Sequence, residues 1–290
     1  MSFWKVFSVS GWVKHIGFLF CALSIAACKH EPVKSVTGDS GFPGPVAKIM
    51  ETRCATAGCH NAASYQNAGS LLLTSWSSLF QGASNGAAII PFSPEYSPLL
   101  YFINTHADLG LMASPTMPYA STPLSKEDYL LIRDWVAAGA PDKNGRIPFA
   151  SNTDTRQKIY MTMQGCDLLA SVDAESGMIM RYLQLGKTAA VEAPHCVRVS
   201  NDGRYAYVSF TGGQYLQKID TRTDSIAGEA LLGPGSWNLL YISEDGAEVM
   251  VTNFSPTGPE PTLAIVKTSD MSVEQIYFNS SQMSNPHGIT

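Results

Sequence analysis

The second half of this 290-residue chain repeats itself, and the repeat limits the fold more than any other feature. Ser200-Asn201-Asp202-Gly203 returns as Ser243-Glu244-Asp245-Gly246, 43 residues later. Val172-Asp173-Ala174, Ile219-Asp220-Thr221 and Val266-Lys267-Thr268 follow one another at intervals of 47. Each copy alternates apolar and polar residues in short runs separated by Asp-Gly or Gly-rich turns, the pattern of antiparallel strands. The clearest copy predicts strands at Cys196–Ser200, Tyr205–Phe210, Tyr215–Asp220 and Ile226–Leu232. Four strands in about 40–50 residues is the size of one propeller blade. Nothing helical separates the strands, which excludes a Rossmann arrangement. A β-sandwich is the alternative, but it does not require this repetition.

Tyr205-Ala206-Tyr207-Val208-Ser209 and Val249-Met250-Val251-Thr252-Asn253 resemble the Tyr-Val-Thr-Asn strand of the YVTN-type β-propellers. Pro194-His195 and Pro286-His287-Gly288 match that family's lead into the innermost strand, where the middle repeat has Trp237-Asn238. Residues 156–290 then make about three blades, fewer than the four or so that close a ring. The expectation is an incomplete chain, or an arc that needs a partner. His195, Trp237 and His287 are expected to line one opening. That opening suits a glycan or protein ligand better than copper, because a metal site needs more ligands than these.

The other end of the chain reads as an address. Lys5, Lys14 and His15 precede Ile16 to Ala27, a short uncharged apolar run of secretory type. It closes in Ile25-Ala26-Ala27-Cys28, which resembles the bacterial lipobox and implies a signal peptide over 1–27 and lipidation of Cys28. The alternative is ordinary signal-peptidase cleavage. Residues 28–44 read as a tether, and the expected location is the periplasm or outer membrane, lipid-anchored to the bacterial envelope. Six cysteines are too few for a disulfide scaffold, so their positions matter more than their number. A net charge of −5 without a basic run excludes a nucleic-acid footprint.

Between Pro45 and Pro141 the periodicity is helical, broken by long loops. Val46, Ile49 and Met50 share a face ahead of Cys54; Ser97-Pro98 opens a second helix; Ser125 caps a third that ends at Gly139. Residues 142–155 read as a linker. Within this segment Cys54-Ala55-Thr56-Ala57-Gly58-Cys59-His60 carries the chemistry. Two thiols followed directly by His is how a c-type haem is held: two thioethers, with the imidazole on iron. Four residues separate the cysteines here instead of two, and Ala and Gly ease the bulge. A Cys54–Cys59 disulfide and a zinc site are the alternatives from spacing alone.

Cys59-His60-Asn61, Gly69 with Leu71 and Leu73, Ser97-Pro98-Leu99, Met117-Pro118 and Trp135-Val136-Ala137-Ala138-Gly139 resemble the cytochrome-c-like domains of planctomycete and Bacteroidetes exported proteins. The resemblance implies a small all-α domain over 45–141 carrying one covalent haem c. In it Cys54 and Cys59 attach the group, His60 is the proximal ligand and Met117 the distal one. Met112 and His106 are the rivals for the distal place. The expected fold is therefore an all-α cytochrome domain followed by a partial all-β propeller. The expected function is one-electron transfer to or from a redox partner protein. Two alternatives are an oxidoreductase whose propeller holds a second, copper or substrate, site, and a surface binding lipoprotein with haem in an accessory role.

Overall fold

The structure, a computed structural model, describes residues 39–149, 156–254, 261–278 and 286–290. The chain divides into two compact units, Met1–Asp39 and Ser40–Thr290. Only Asp39 of the first unit is described, so the signal-peptide reading and Cys28 lie outside the described residues. No helix among the described residues is long and apolar enough to cross a membrane.

Eleven strands dominate the second unit among its described residues. They form three antiparallel sheets in strict chain order. The first holds β1 (Lys158–Met163), β2 (Leu168–Asp173) and β3 (Ile179–Gln184). The second holds β4 (Pro194–Val199), β5 (Tyr205–Phe210), β6 (Tyr215–Asp220) and β7 (Ser225–Leu231). The third holds β8 (Trp237–Ile242), β9 (Glu248–Asn253), β10 (Leu263–Lys267) and β11 (Val273–Ile276). Each is a simple meander, and successive sheets pack face to face, an arrangement consistent with a propeller-like domain.

The repeated turn shows why the strands fall where they do. Ser200 Oγ donates to Asp202 Oδ1 at 2.6 Å, which also accepts from the Arg204 amide at 3.0 Å, while Gly203 takes φ +72°. The next copy repeats this atom for atom. Ser243 Oγ reaches Asp245 Oδ1 at 2.6 Å, the Ala247 amide follows at 3.0 Å, and Gly246 takes φ +71°. The side chains satisfy the turn's backbone donors, and glycine accepts the left-handed residue that a Cβ would strain.

Two cores lie between the sheets. Leu169 and Tyr160 of the first sheet pack with Ala206, Val208 and Phe210 of the second. Tyr207 and Leu216 of the second pack with Trp237, Val249 and Val251 of the third. The first junction also buries an ion pair. Lys158 Nζ lies 2.9 Å from Asp224 Oδ2 and donates to Thr221 O at 2.7 Å, and Tyr160 OH donates to Asp224 Oδ1 at 2.6 Å.

Ahead of the sheets, the expected all-α domain is corrected. Residues 40–149 contain α1 (Gly44–Ile49), α2 (Trp76–Leu79), α3 (Pro98–Ile103) and α4 (Lys126–Ala137), and only α4 exceeds two turns. Loops and single turns make up most of this stretch, and the chain as described is mostly β. The helical periodicity was real but local: α3 ends within six residues of Pro98, and the Pro-rich run from Ser114 to Pro123 holds no helix. The segment still has a core of its own, in which Met50, Ile132 and Val136 are fully buried. It meets the first sheet along β3. There Tyr96 stacks edge-on against Tyr182 at 5.0 Å, and the buried Arg181 donates to Pro148 O at 2.5 Å.

Candidate functional site

Helix α1 runs on into a wider, π-type turn, Met50–Cys54, closed by the Ala55 amide donating to Met50 O at 2.7 Å. That wide turn leaves Cys54 half-buried against the core of the segment. Burial pushes its thiol up to about 11, with Arg53 pulling the other way. The four intervening residues fold back on themselves. The Cys59 amide donates to Thr56 O at 3.0 Å, Asn61 Nδ2 to the same oxygen at 2.7 Å, and the His60 amide to Cys54 O at 3.2 Å. Gly58, at φ +81°, turns the bulge. The longer spacing therefore still delivers both cysteines and His60 from one closed loop.

His60 is aimed by the backbone. Its Nδ1 lies 2.9 Å from Leu71 O, and its own carbonyl accepts from the Leu73 amide at 2.9 Å. A carbonyl only accepts, so Nδ1 carries a proton, and in the neutral ring Nε2 is then the nitrogen with the free lone pair. Nε2 has no hydrogen-bond partner among the described residues. Metal-ligating imidazoles are normally supported in the same way, with the second nitrogen held by a carbonyl or carboxylate.

The loop bearing Met117 is tied to the same place. The Met117 amide donates to Phe102 O at 2.7 Å, and the Arg53 guanidinium, next to Cys54, donates to Thr122 O and to Pro123 O. Met117, Leu71 and Cys54 are half-buried against one core. Met112 is 55% exposed. His106 packs edge-on against Tyr129, with ring centroids 6.4 Å apart, and its Nε2 is buried with no hydrogen-bond partner.

Cys54 and Cys59 are both free thiols, as are Cys166 and Cys196. Among the described residues no group of three or more His, Cys, Asp or Glu side chains is gathered as a metal site would need.

The three residues expected around a propeller opening sit in different surroundings. His195 is half-buried, with Nδ1 bonded to Gln164 Nε2. His287 is exposed and stacks on Phe254 at 5.4 Å. Trp237 is fully buried, donating from Nε1 to Gly233 O at 2.9 Å, so its expected place at a channel mouth is corrected. The pairing register shifts between Trp237 and Leu240, and between Pro194 and Cys196, so the alternation counted from the sequence does not carry through these strand starts. The indole belongs to the core between the second and third sheets.

No family model and no curated protein matches the chain. Among solved structures, hydrazine synthase from Kuenenia stuttgartiensis is similar, with 17% identity and a TM-score of 0.36. The match covers 41% of this chain and 34% of that one, so the chain spans about a third of hydrazine synthase.

Two features at the site had little or no sequence signal. Leu71 entered only through the family resemblance, with no role of its own, yet its carbonyl orients His60. The unpartnered Nε2 of His106 depends on Tyr129 and the fold of the 104–111 loop, which no local motif announces.

Proposed function

We propose that the chain is an envelope electron carrier with one haem c covalently held at Cys54 and Cys59. The observation that carries this reading is His60: Nδ1 is fixed on Leu71 O at 2.9 Å and Nε2 is left free, directly after two reduced thiols in a closed loop. The donor set fits the group. Cys54 and Cys59 would supply the thioethers and His60 Nε2 the proximal ligand. Met117, on the loop that Arg53 ties down, would supply the distal sulfur. When bound, haem c provides a one-electron couple, and a thioether ligand raises its potential.

The protein's own work is positional. Leu71 holds the imidazole, the hydrogen-bonded loop from Cys54 to Asn61 fixes the thiols, and Leu71, Met117 and Cys54 all rest against one apolar core. Lipidation at Cys28 would hold the carrier at a membrane surface, where a redox partner protein could dock.

A second reading changes one ligand. The buried, unpartnered Nε2 of His106 favours a His/His iron instead of His/Met. The oxidised absorption spectrum separates them. A sulfur-to-iron charge-transfer band that survives His106→Ala and vanishes in Met117→Ala supports Met117; its absence from the unaltered protein supports His106. A chain made with the haem-attachment machinery that shows no haem spectrum at all refutes both.

A further inference from the structure

The two cysteines of the Cys54–His60 loop are held by different means. Cys54 ends the π turn closed by the Ala55 amide on Met50 O, and it rests against the apolar core of residues 40–149. Cys59 is half-buried but is not part of that core. Its Sγ has one polar contact among the described residues, Ala57 O at 3.9 Å. Ala57 and Gly58, just before it, are exposed. Four residues between the cysteines instead of two leave the backbone more conformations to lose before the second thiol is in place.

Asn61 supplies the missing restraint. Its Nδ2 donates to Thr56 O at 2.7 Å, and its Oδ1 accepts from the Ala63 amide at 2.8 Å. These partners fix the orientation of the side-chain amide, because a carbonyl cannot donate and an N–H cannot accept. Thr56 O also accepts from the Cys59 amide at 3.0 Å, so the two bonds to this oxygen close the chain around Cys59. Ser64 Oγ donates to Cys59 O at 2.6 Å and lies 3.0 Å from Asn61 Oδ1. The Asn61 carbonyl accepts from the Ser64 and Tyr65 amides at 3.2 and 2.9 Å, which anchors the residue to the turn that follows.

From this we infer that Asn61 is a positioning residue for haem attachment, holding the Cys59 thiol where it forms the second thioether. With haem c held as proposed above, on which this inference rests, the apolar core places Cys54 and Asn61 places Cys59. Each thiol adds across one vinyl group. A sulfur–carbon bond replaces the π bond, the thiol hydrogen passes to the other vinyl carbon, and no oxidant or reductant is consumed. Asn61 takes no part in that addition. It acts on Cys59 through Thr56 O and through Ser64.

Asn61→Asp tests this in the full chain, exported in cells with haem-attachment machinery. The carboxylate can still accept from Ala63 but cannot donate to Thr56 O. After denaturation, a thiol-alkylating reagent marks each cysteine outside a thioether, and peptide mass spectrometry locates the mark. The spectrum of the reduced haem in alkaline pyridine gives a second reading, because its band lies at longer wavelength when a vinyl group is retained. In the unaltered chain Cys54 and Cys59 should both escape alkylation. In Asn61→Asp the haem should stay on Cys54, and the ratio of two-thioether to one-thioether chains should fall about tenfold, the effect of one hydrogen bond left unmade. An unchanged ratio overturns the inference and leaves the haem reading standing. Equal loss of attachment at both cysteines overturns it too, because Asn61 then only keeps the loop folded. An unaltered chain without haem overturns the haem reading and the inference together.

Discussion

Asp224→Asn tests the junction between the first two sheets with a change of little more than charge. The carboxylate is 5% exposed and pairs with Lys158, itself 10% exposed. It also lies near enough to the buried Arg181 to counter part of the lowering that burial imposes on that guanidinium, which falls to about 10. Asparagine keeps an acceptor for Tyr160 OH and tolerates the left-handed backbone at this residue, φ +49°. The substitution therefore leaves two buried cations without their shared anion and disturbs little else. Breaking a buried pair in this way costs about 3–5 kcal/mol, a change of roughly 100-fold or more in the unfolding equilibrium. Lys158→Met should cost less, because Asp224 keeps Tyr160 and Arg181. The double variant should cost less than the two single losses combined, because it removes both charges of the pair. Urea unfolding followed by tryptophan fluorescence measures all three. An Asp224→Asn loss below about 1 kcal/mol, or strict additivity in the double variant, would show that the pair is not the electrostatic centre of this junction.

Phe210→Ala removes a fully buried ring from the core between the same two sheets and should cost about 3–5 kcal/mol in the same assay. In a haem-loaded chain, Met117→Ala should lower the reduction potential along with the loss of the charge-transfer band, which protein-film voltammetry reads. The Ser-x-Asp-Gly turns give an acid limit. Hydrogen bonds from Ser200 and from Ser243 hold Asp202 and Asp245 below the ordinary value of 3.8. The stability they add is fully present above that value and is lost as pH falls through their lower folded values, so a melting-temperature series should begin to drop below about pH 4.

How much of this was legible follows from the range of each signal. Strand positions were readable because every turn is punctuated locally: Ser200 and Asp202 bond to residues within five positions of themselves. The Cys54–His60 loop likewise closes through bonds between near neighbours in sequence. The all-α expectation failed because short apolar windows such as Val46 to Met50 show a helical face without showing where the helix stops. Here α1 gives way to the π turn after six residues. Trp237 was misplaced because the register slips at the start of the strand, and a slip moves a side chain to the other face. The Lys158–Asp224 pair and the Leu71 support of His60 join residues far apart or through backbone atoms. Side-chain pattern holds no trace of either.

Covalent haem at the Cys54–His60 loop is read most directly from intact mass after denaturation. The chain should be exported in cells with haem-attachment machinery, unfolded, stripped of loosely bound pigment and weighed, then digested to locate the added mass. One haem per chain is expected, on the peptide containing Cys54 and Cys59, with its loss in the Cys54→Ser/Cys59→Ser variant. Recovery of that peptide with both thiols free, or joined to each other as a disulfide, would contradict it.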